Sequence, residues 1–223
     1  MYDDTTGRMQ IMNESKKEFY RIQAETIINK LKLRKMEGYY CDNAVDAGQK
    51  VLELIGEPSK TIGLGGSVTV KECGIRDAVI RAGHKLIVPQ DYKTEAEIKE
   101  YKALTVNADY FLMSTNAITL DGELVNIDGR GNRLSFMIYG PENVIIVAGM
   151  NKVVANVEEG ISRVHTMAAP PNTVRLGCDT PCSKSGVCGN CINNTICCQA
   201  VVTRASRVPG RIKVILVGEE LGY

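Results

Sequence analysis

The chain has 223 residues, 44% of them apolar and 24% charged, with a formal net charge of +1. That length suffices for one large domain, or for one domain with a small appendage, and the composition is that of an ordinary globular protein. With no basic block, no Trp and only three Phe, it points away from a nucleic-acid partner, a single-stranded stacking platform and a charged membrane surface.

The opening residues, MYDDTTGRMQ, are polar and acidic and lack the apolar core of a signal peptide. No run approaches the roughly 18 apolar residues of a membrane span. A cytoplasmic location is the expectation, where thiols stay reduced, so eight cysteines need a role other than disulfides.

Residues 14–35 carry good helix formers and no Gly or Pro, with Phe19, Ile22, Ile27, Ile28 and Leu31 as a helical stripe. Gly38 suits the C-terminal cap. Residues 1–38 are therefore read as a leading helix, packing on the core or on a second subunit in a homodimer, with residues 39–223 as the main domain. A helix capped by Asp42 or Asn43 follows, then a strand over 61–64 broken by Gly65-Gly66-Ser67, then helical turns to residue 82. Strand, glycine-rich turn and helix together make a ready anion site, with exposed N–H groups at the turn. It is neither a Walker A loop nor a dinucleotide fingerprint, and a tight βα turn that binds nothing has the same appearance.

Strands over 84–88 and 109–113 bracket a helix opening at Thr94. The second of these strands leads into the densest stretch of the chain, DYFLMSTNAITLDGELVNIDGRGNR. Here Asp121-Gly122, between β-prone arms, predicts a hairpin with a type I′ turn. Thr115, Asn116, Glu123, Asn126, Asp128, Asn132 and Arg133 gather around it, either as the wall of a site or as a solvated hairpin. A helix over 132–139 is followed by Val144-Ile145-Ile146-Val147-Ala148, a run suited to a strand buried on both faces. Residues 153–169 read as a helix closed by Pro170-Pro171. Strands alternating with helices predict an α/β fold with a mainly parallel sheet, whose ligands sit outside the carboxyl ends of the strands.

Between residues 177 and 198 six cysteines crowd together: Cys178, Cys182, Cys188, Cys191, Cys197 and Cys198. Cys188-Gly-Asn-Cys191 is a knuckle, and Cys182, Cys188, Cys191 and Cys197 are the favoured ligands of zinc or an iron–sulfur cluster, with Cys178 or Cys198 as substitutes. Neither the paired knuckles of a zinc ribbon nor a ferredoxin run is present, and a metal-free thiol loop is the competing reading. Cys41 and Cys73 read as small core residues. The isolated His84 and His165 read as structural. Strands over 199–203 and 211–217 return the chain to the core sheet.

At TIGLGGSVTV, at ADYFLMSTNAITLDGELVNIDGRGNR and at RLGCDTPCSKSGVCGNCINNTICC, the chain resembles the lactate-utilization (LUD) domain family, in particular its lactate utilization protein C-like members. The resemblance implies a fold similar to the sugar-phosphate isomerase and CoA-transferase-like fold, and to the formyltetrahydrofolate cyclo-ligase fold. It implies a role in oxidising lactate or related organic acids alongside iron–sulfur oxidoreductase subunits. It also implies a small anionic metabolite held between one wall of Gly63, Gly65, Gly66 and Ser67 and another of Asn116, Glu123, Asn126, Asp128, Asn132 and Arg133. Glu123 is the candidate acid, base or nucleophile, and Arg133 the candidate anchor for a carboxylate or phosphate. A non-catalytic metal-stabilised subunit or redox sensor, and an isomerase or transferase on sugar phosphates or CoA esters, are the alternatives.

Overall fold

A computed structural model describes residues 13–223; the opening residues read for a leader lie outside the described residues. The first helix, α1 (Glu14–Leu33), is capped by Asn13, whose side chain accepts from the Ser15 N–H. Its buried stripe, Tyr20, Ala24, Ile27 and Leu31, repeats every three or four residues. The chain then runs β1 (Glu37–Cys41), α2 (Ala44–Ile55), β2 (Thr61–Leu64), α3 (Val68–Glu72), α4 (Ile75–Arg81), β3 (Lys85–Ile87), α5 (Glu95–Val106) and β4 (Tyr110–Met113). It continues with β5 (Ala117–Thr119), β6 (Leu124–Asp128), α6 (Asn132–Tyr139), β7 (Asn143–Gly149), β8 (Val153–Val154) and α7 (Val157–Arg163). Last come α8 (Ala169–Arg175), α9 (Pro181–Ser185), β9 (Gln199–Thr203) and β10 (Ile212–Val217).

The described residues form two sheets. The larger is parallel throughout, in the order β1-β10-β7-β4-β2-β3. Its central strands bury both faces, as a parallel sheet covered by helices must. Along β7 and β10, Val144, Ile146, Val214 and Leu216 join one apolar cluster, while Ile145, Val147, Ile215 and Val217 join another. Ile27 and Leu31 of α1 share the first cluster with Phe111 and Phe136, so the residues on either side of position 38 belong to one core. The smaller sheet runs β8-β5-β6-β9, with β6 antiparallel to both neighbours. This arrangement is the α/β fold with a mainly parallel sheet that the alternating elements predict.

Several local expectations are corrected: Gly38 lies in β1 rather than capping α1, which ends at Leu33; Phe19 and Ile22 are exposed; and residues 153–154 are a strand, with the helix starting at Val157. The hairpin turn is not type I′, which needs positive φ at two consecutive residues. Only Gly122 of the Asp121-Gly122 pair is left-handed, at φ +82°. Thr119 and Glu123 close a three-residue loop, with the Gly122 N–H donating to the Thr119 carbonyl at 2.8 Å and the Thr119 N–H to the Glu123 carbonyl at 2.9 Å. A glycine suits that position because its φ is left-handed and an added Cβ would stand 3.2 Å from the Leu31 nitrogen. Nor do Pro170 and Pro171 end the helix. A π-helical turn over Val164–Ala168 precedes them, and the two prolines fall in the first turn of α8, where a missing N–H costs no hydrogen bond.

Candidate functional site

Three neighbouring parallel strands, β2, β4 and β7, deliver their following loops to one edge of the sheet. These loops are Gly65-Gly66-Ser67, Ser114-Thr115-Asn116 and the short helical turn Met150–Lys152. At that edge sits Lys152, only 4% exposed, its ammonium donating to Thr69 Oγ1 at 2.9 Å and Ser114 Oγ at 3.1 Å. Burial, and then the nearby Arg163 and Arg133, push its pKa from 10.5 down to about 7. Arg163, at the end of α7, donates to the carbonyls of Asn151 (3.1 Å) and Asn116 (2.7 Å), and burial lowers its pKa also. Among the described residues neither Lys152 nor Arg163 makes an ion pair with a carboxylate; their partners are hydroxyls and carbonyls.

Arg133 is occupied. Its guanidinium pairs with Asp128 (2.6 Å), donates to the side chains of Asn126 (2.6 Å) and Asn116 (3.0 Å), and to the Ser114 carbonyl (2.9 Å). Asp128 in turn accepts the Leu134 N–H at the start of α6. Asn126, fully buried, accepts from the Asn116 N–H as well. Thr115 donates its hydroxyl to the carbonyls of Ala117 and Val125. These residues tie the β4–β5 loop to β6 and α6, and through Ser114 the knot they form adjoins Lys152. Asn132 is exposed and opens α6. Glu123 lies at the hairpin loop, paired with Arg34 at 3.5 Å and Arg204 at 4.0 Å, so its carboxylate is engaged with α1 and the chain after β9.

The glycine wall divides as well. A Cβ at Gly63 would stand 2.6 Å from Thr105 Cγ2 of α5, and one at Gly65 would meet Phe111 and Met113 of β4, so both serve close packing. Gly66 alone faces open space, and Ser67 caps α3 by accepting the Val70 N–H. Residues 218–223 cross the same edge. Thr69 Oγ1 donates to the Leu221 carbonyl (3.2 Å), and the Gly222 N–H donates to Glu72 (2.7 Å).

Sequence reasoning missed Lys152 and Arg163. For Lys152 a signal was present: a lysine follows the most apolar strand of the chain, at the carboxyl end where ligands of such sheets sit. Arg163 had none.

The six clustered cysteines separate into two groups. Cys182, Cys188, Cys191 and Cys197 line one cavity of about 100 Å³ together with His165, Thr173 and Thr180. Cys178 and Cys198 are not on its wall; Cys198 is exposed, and its N–H donates to the Asp128 carbonyl. His165, on the π-helical turn, brings Nδ1 within 3.4 Å of Cys188 Sγ. Among the described residues no three His, Cys, Asp or Glu side chains converge tightly enough to hold a single metal ion, the expectation having been zinc or an iron–sulfur cluster. Cys41 and Cys73 are buried in the core, where desolvation pushes their thiols up to about 11 and about 12. No helix among the described residues is long and apolar enough to cross a membrane.

Comparison with known proteins agrees with the motifs. No curated protein matches the chain. Among solved structures it is similar to a DUF162 family protein from Deinococcus radiodurans, at 18% identity and a TM-score of 0.49, covering 90% of this chain and 98% of that one. A more distant likeness is to eIF2B beta from Chaetomium thermophilum, at 15% identity and a TM-score of 0.35, covering 51% of this chain and 40% of that one. The family model of the LUD domain matches residues 24–217, from the buried face of α1 to the last residue of β10. The chain belongs to the LUD-domain family.

Proposed function

We propose that this LUD-domain chain serves the utilization of lactate or a related small organic acid, and that it binds a small anionic metabolite in the crevice around Lys152. The observation that carries this reading is a buried cation, Lys152, beside the half-buried Arg163, both with hydroxyl and carbonyl partners and neither in an ion pair with a carboxylate among the described residues. Withdrawing a charge from water without pairing it costs several kcal/mol. An anion entering the crevice removes that cost and restores the proton to Lys152. Gly66 leaves room on one side, and the Arg133–Asp128–Asn126 knot holds the Ser114 loop on the other. With a pKa of about 7, the Lys152 amine is partly neutral at neutral pH in the free protein, so binding of an anion is coupled to uptake of a proton. Glu123, held by Arg34 and Arg204, takes no part in this version of the site.

Titration calorimetry with L-lactate, pyruvate and inorganic phosphate tests the proposal. One of these is expected to bind, with proton uptake at pH 8 and at least a tenfold loss of affinity in Lys152→Met. No binding by any of the three, or equal binding by wild type and variant, would refute it. A second reading, a non-catalytic subunit, is favoured by the saturation of Arg133. It predicts that the same anions bind without turnover of any hydroxy acid.

A further inference from the structure

The segment 177–198 has almost no core of its own: of its 22 positions only Thr180 and Cys182 are buried. Yet the segment folds back on itself with care. Asn190, inside the Cys188-Gly-Asn-Cys191 knuckle, is left-handed at φ +47°, a conformation that Asn tolerates better than most residues. Gly189 packs so closely on Pro181 that a Cβ would stand 2.8 Å from it. Thr180 caps α9 through a reciprocal pair of hydrogen bonds with Ser183. These devices turn four thiols inward on one cavity and leave Cys178 and Cys198 off its wall.

We propose that Cys182, Cys188, Cys191 and Cys197 hold an iron–sulfur cluster in that cavity. Three observations support a metal centre there, and the first favours a cluster over zinc. Zinc bonds sulfur at about 2.3 Å, which sets the four sulfurs about 3.8 Å apart and leaves no void between them. Here the thiols surround a void of about 100 Å³, and no three ligating side chains among the described residues meet at one ion's reach. In a four-iron cluster each of the four thiolates binds a different iron, so its ligands stand apart around a filled space. The sulfurs are also supplied with polar neighbours: the Thr173 and Thr180 hydroxyls lie 3.4 Å from Cys182 Sγ, and His165 Nδ1 lies 3.4 Å from Cys188 Sγ. Hydrogen bonds to sulfur are one of the means by which a protein sets a cluster's reduction potential. Finally, a segment without an apolar core needs a crosslink, and metal binding supplies folding free energy. This inference stands on the cysteine segment alone and is independent of the anion site.

The experiment is metal and acid-labile sulfide analysis of the full chain purified without oxygen, with its visible spectrum, before and after incubation with ferrous iron and sulfide under a thiol reductant. Iron and sulfide in equal amounts, with broad absorption that bleaches on adding dithionite, are expected. Cys191→Ser and Cys188→Ser should each lose the wild-type spectrum, and Cys178→Ser and Cys198→Ser should keep it. Stoichiometric zinc without sulfide would overturn the proposal. So would a chain that stays colourless after reconstitution, or a spectrum unchanged by Cys191→Ser. Far-ultraviolet circular dichroism on each variant separates loss of the cluster from loss of the fold.

Discussion

Replacing Lys152 by Met removes one buried charge while leaving an unbranched side chain of similar length in the crevice. The wild-type ammonium is 4% exposed, and its pKa falls from 10.5 in the unfolded chain to about 7 in the fold. The difference corresponds to on the order of 5 kcal/mol of penalty on the charged form. Between pH 7 and 10.5 the unfolded chain binds the proton that the folded chain has released, so stability rises with pH across that window. For one such group the rise from pH 7 to pH 9 is about 2 kcal/mol. Below pH 7 both states are protonated and the penalty is fully present. Urea unfolding of wild type and Lys152→Met at pH 6, 7, 8 and 9 reads this directly. The Cys41 and Cys73 thiols, raised to about 11 and about 12, titrate alike in both proteins and cancel in the difference. The variant is expected to be more stable than wild type at pH 6–7, with a gap that closes by about 2 kcal/mol by pH 9. Parallel stability curves would show that Lys152 carries its full charge in the fold and would remove the basis for a counter-ion site.

Other outcomes follow from the same geometry. Arg133→Lys cannot reproduce a fork shared by Asp128, Asn126, Asn116 and the Ser114 carbonyl; it is expected to cost about 2–4 kcal/mol in urea unfolding, and a loss under 0.5 would refute the knot's structural role. Glu123→Gln breaks only the pairs with Arg34 and Arg204, so calorimetry should find anion affinity unchanged and stability lower by at most about 1 kcal/mol. Gly222→Ala places a Cβ 2.6 Å from Thr69 Oγ1 at a backbone φ of +59°, and hydrogen exchange at residues 218–223 should speed up at least tenfold. Chelating iron from the anaerobically purified chain should lower the melting temperature, and proteolysis should then cut first within 177–198; an unchanged cleavage pattern would separate that segment's order from metal.

Much of the architecture was legible because it is written in short-range patterns. The run 144–148 is apolar at every position, which only a strand covered on both faces accommodates, and β7 lies in the middle of the parallel sheet. Asn132 and Tyr139 bound α6 where the Gly129-Arg130-Gly131 turn and Gly140-Pro141 said they should. Family membership was readable too, since its motifs are contiguous. The hairpin turn and the Pro170-Pro171 pair were misjudged for one reason. Asp-Gly and Pro-Pro describe what a backbone can do locally, whereas the packing of Gly122 on Leu31 and the π-helical turn before Pro170 decide which option is taken.

The polar residues show the limit most clearly. Their density around the hairpin was visible, but their roles depend on partners that sequence distance hides. Arg133 is saturated by groups from two segments, the β4–β5 loop and β6, and Glu123 is drawn away by Arg34, 89 positions earlier. Lys152, Thr69 and Ser114 meet only because β2, β4 and β7 are neighbours in a sheet whose order no local pattern states. By itself the sequence determined the elements, the family and the cysteine-rich segment, because hydrophobic period, turn chemistry and contiguous motifs are local properties. Only the tertiary structure decided that Lys152 stands buried without an ion-pair partner and that the four favoured thiols line one cavity with Cys178 and Cys198 off it, because burial and convergence are properties of the packed chain.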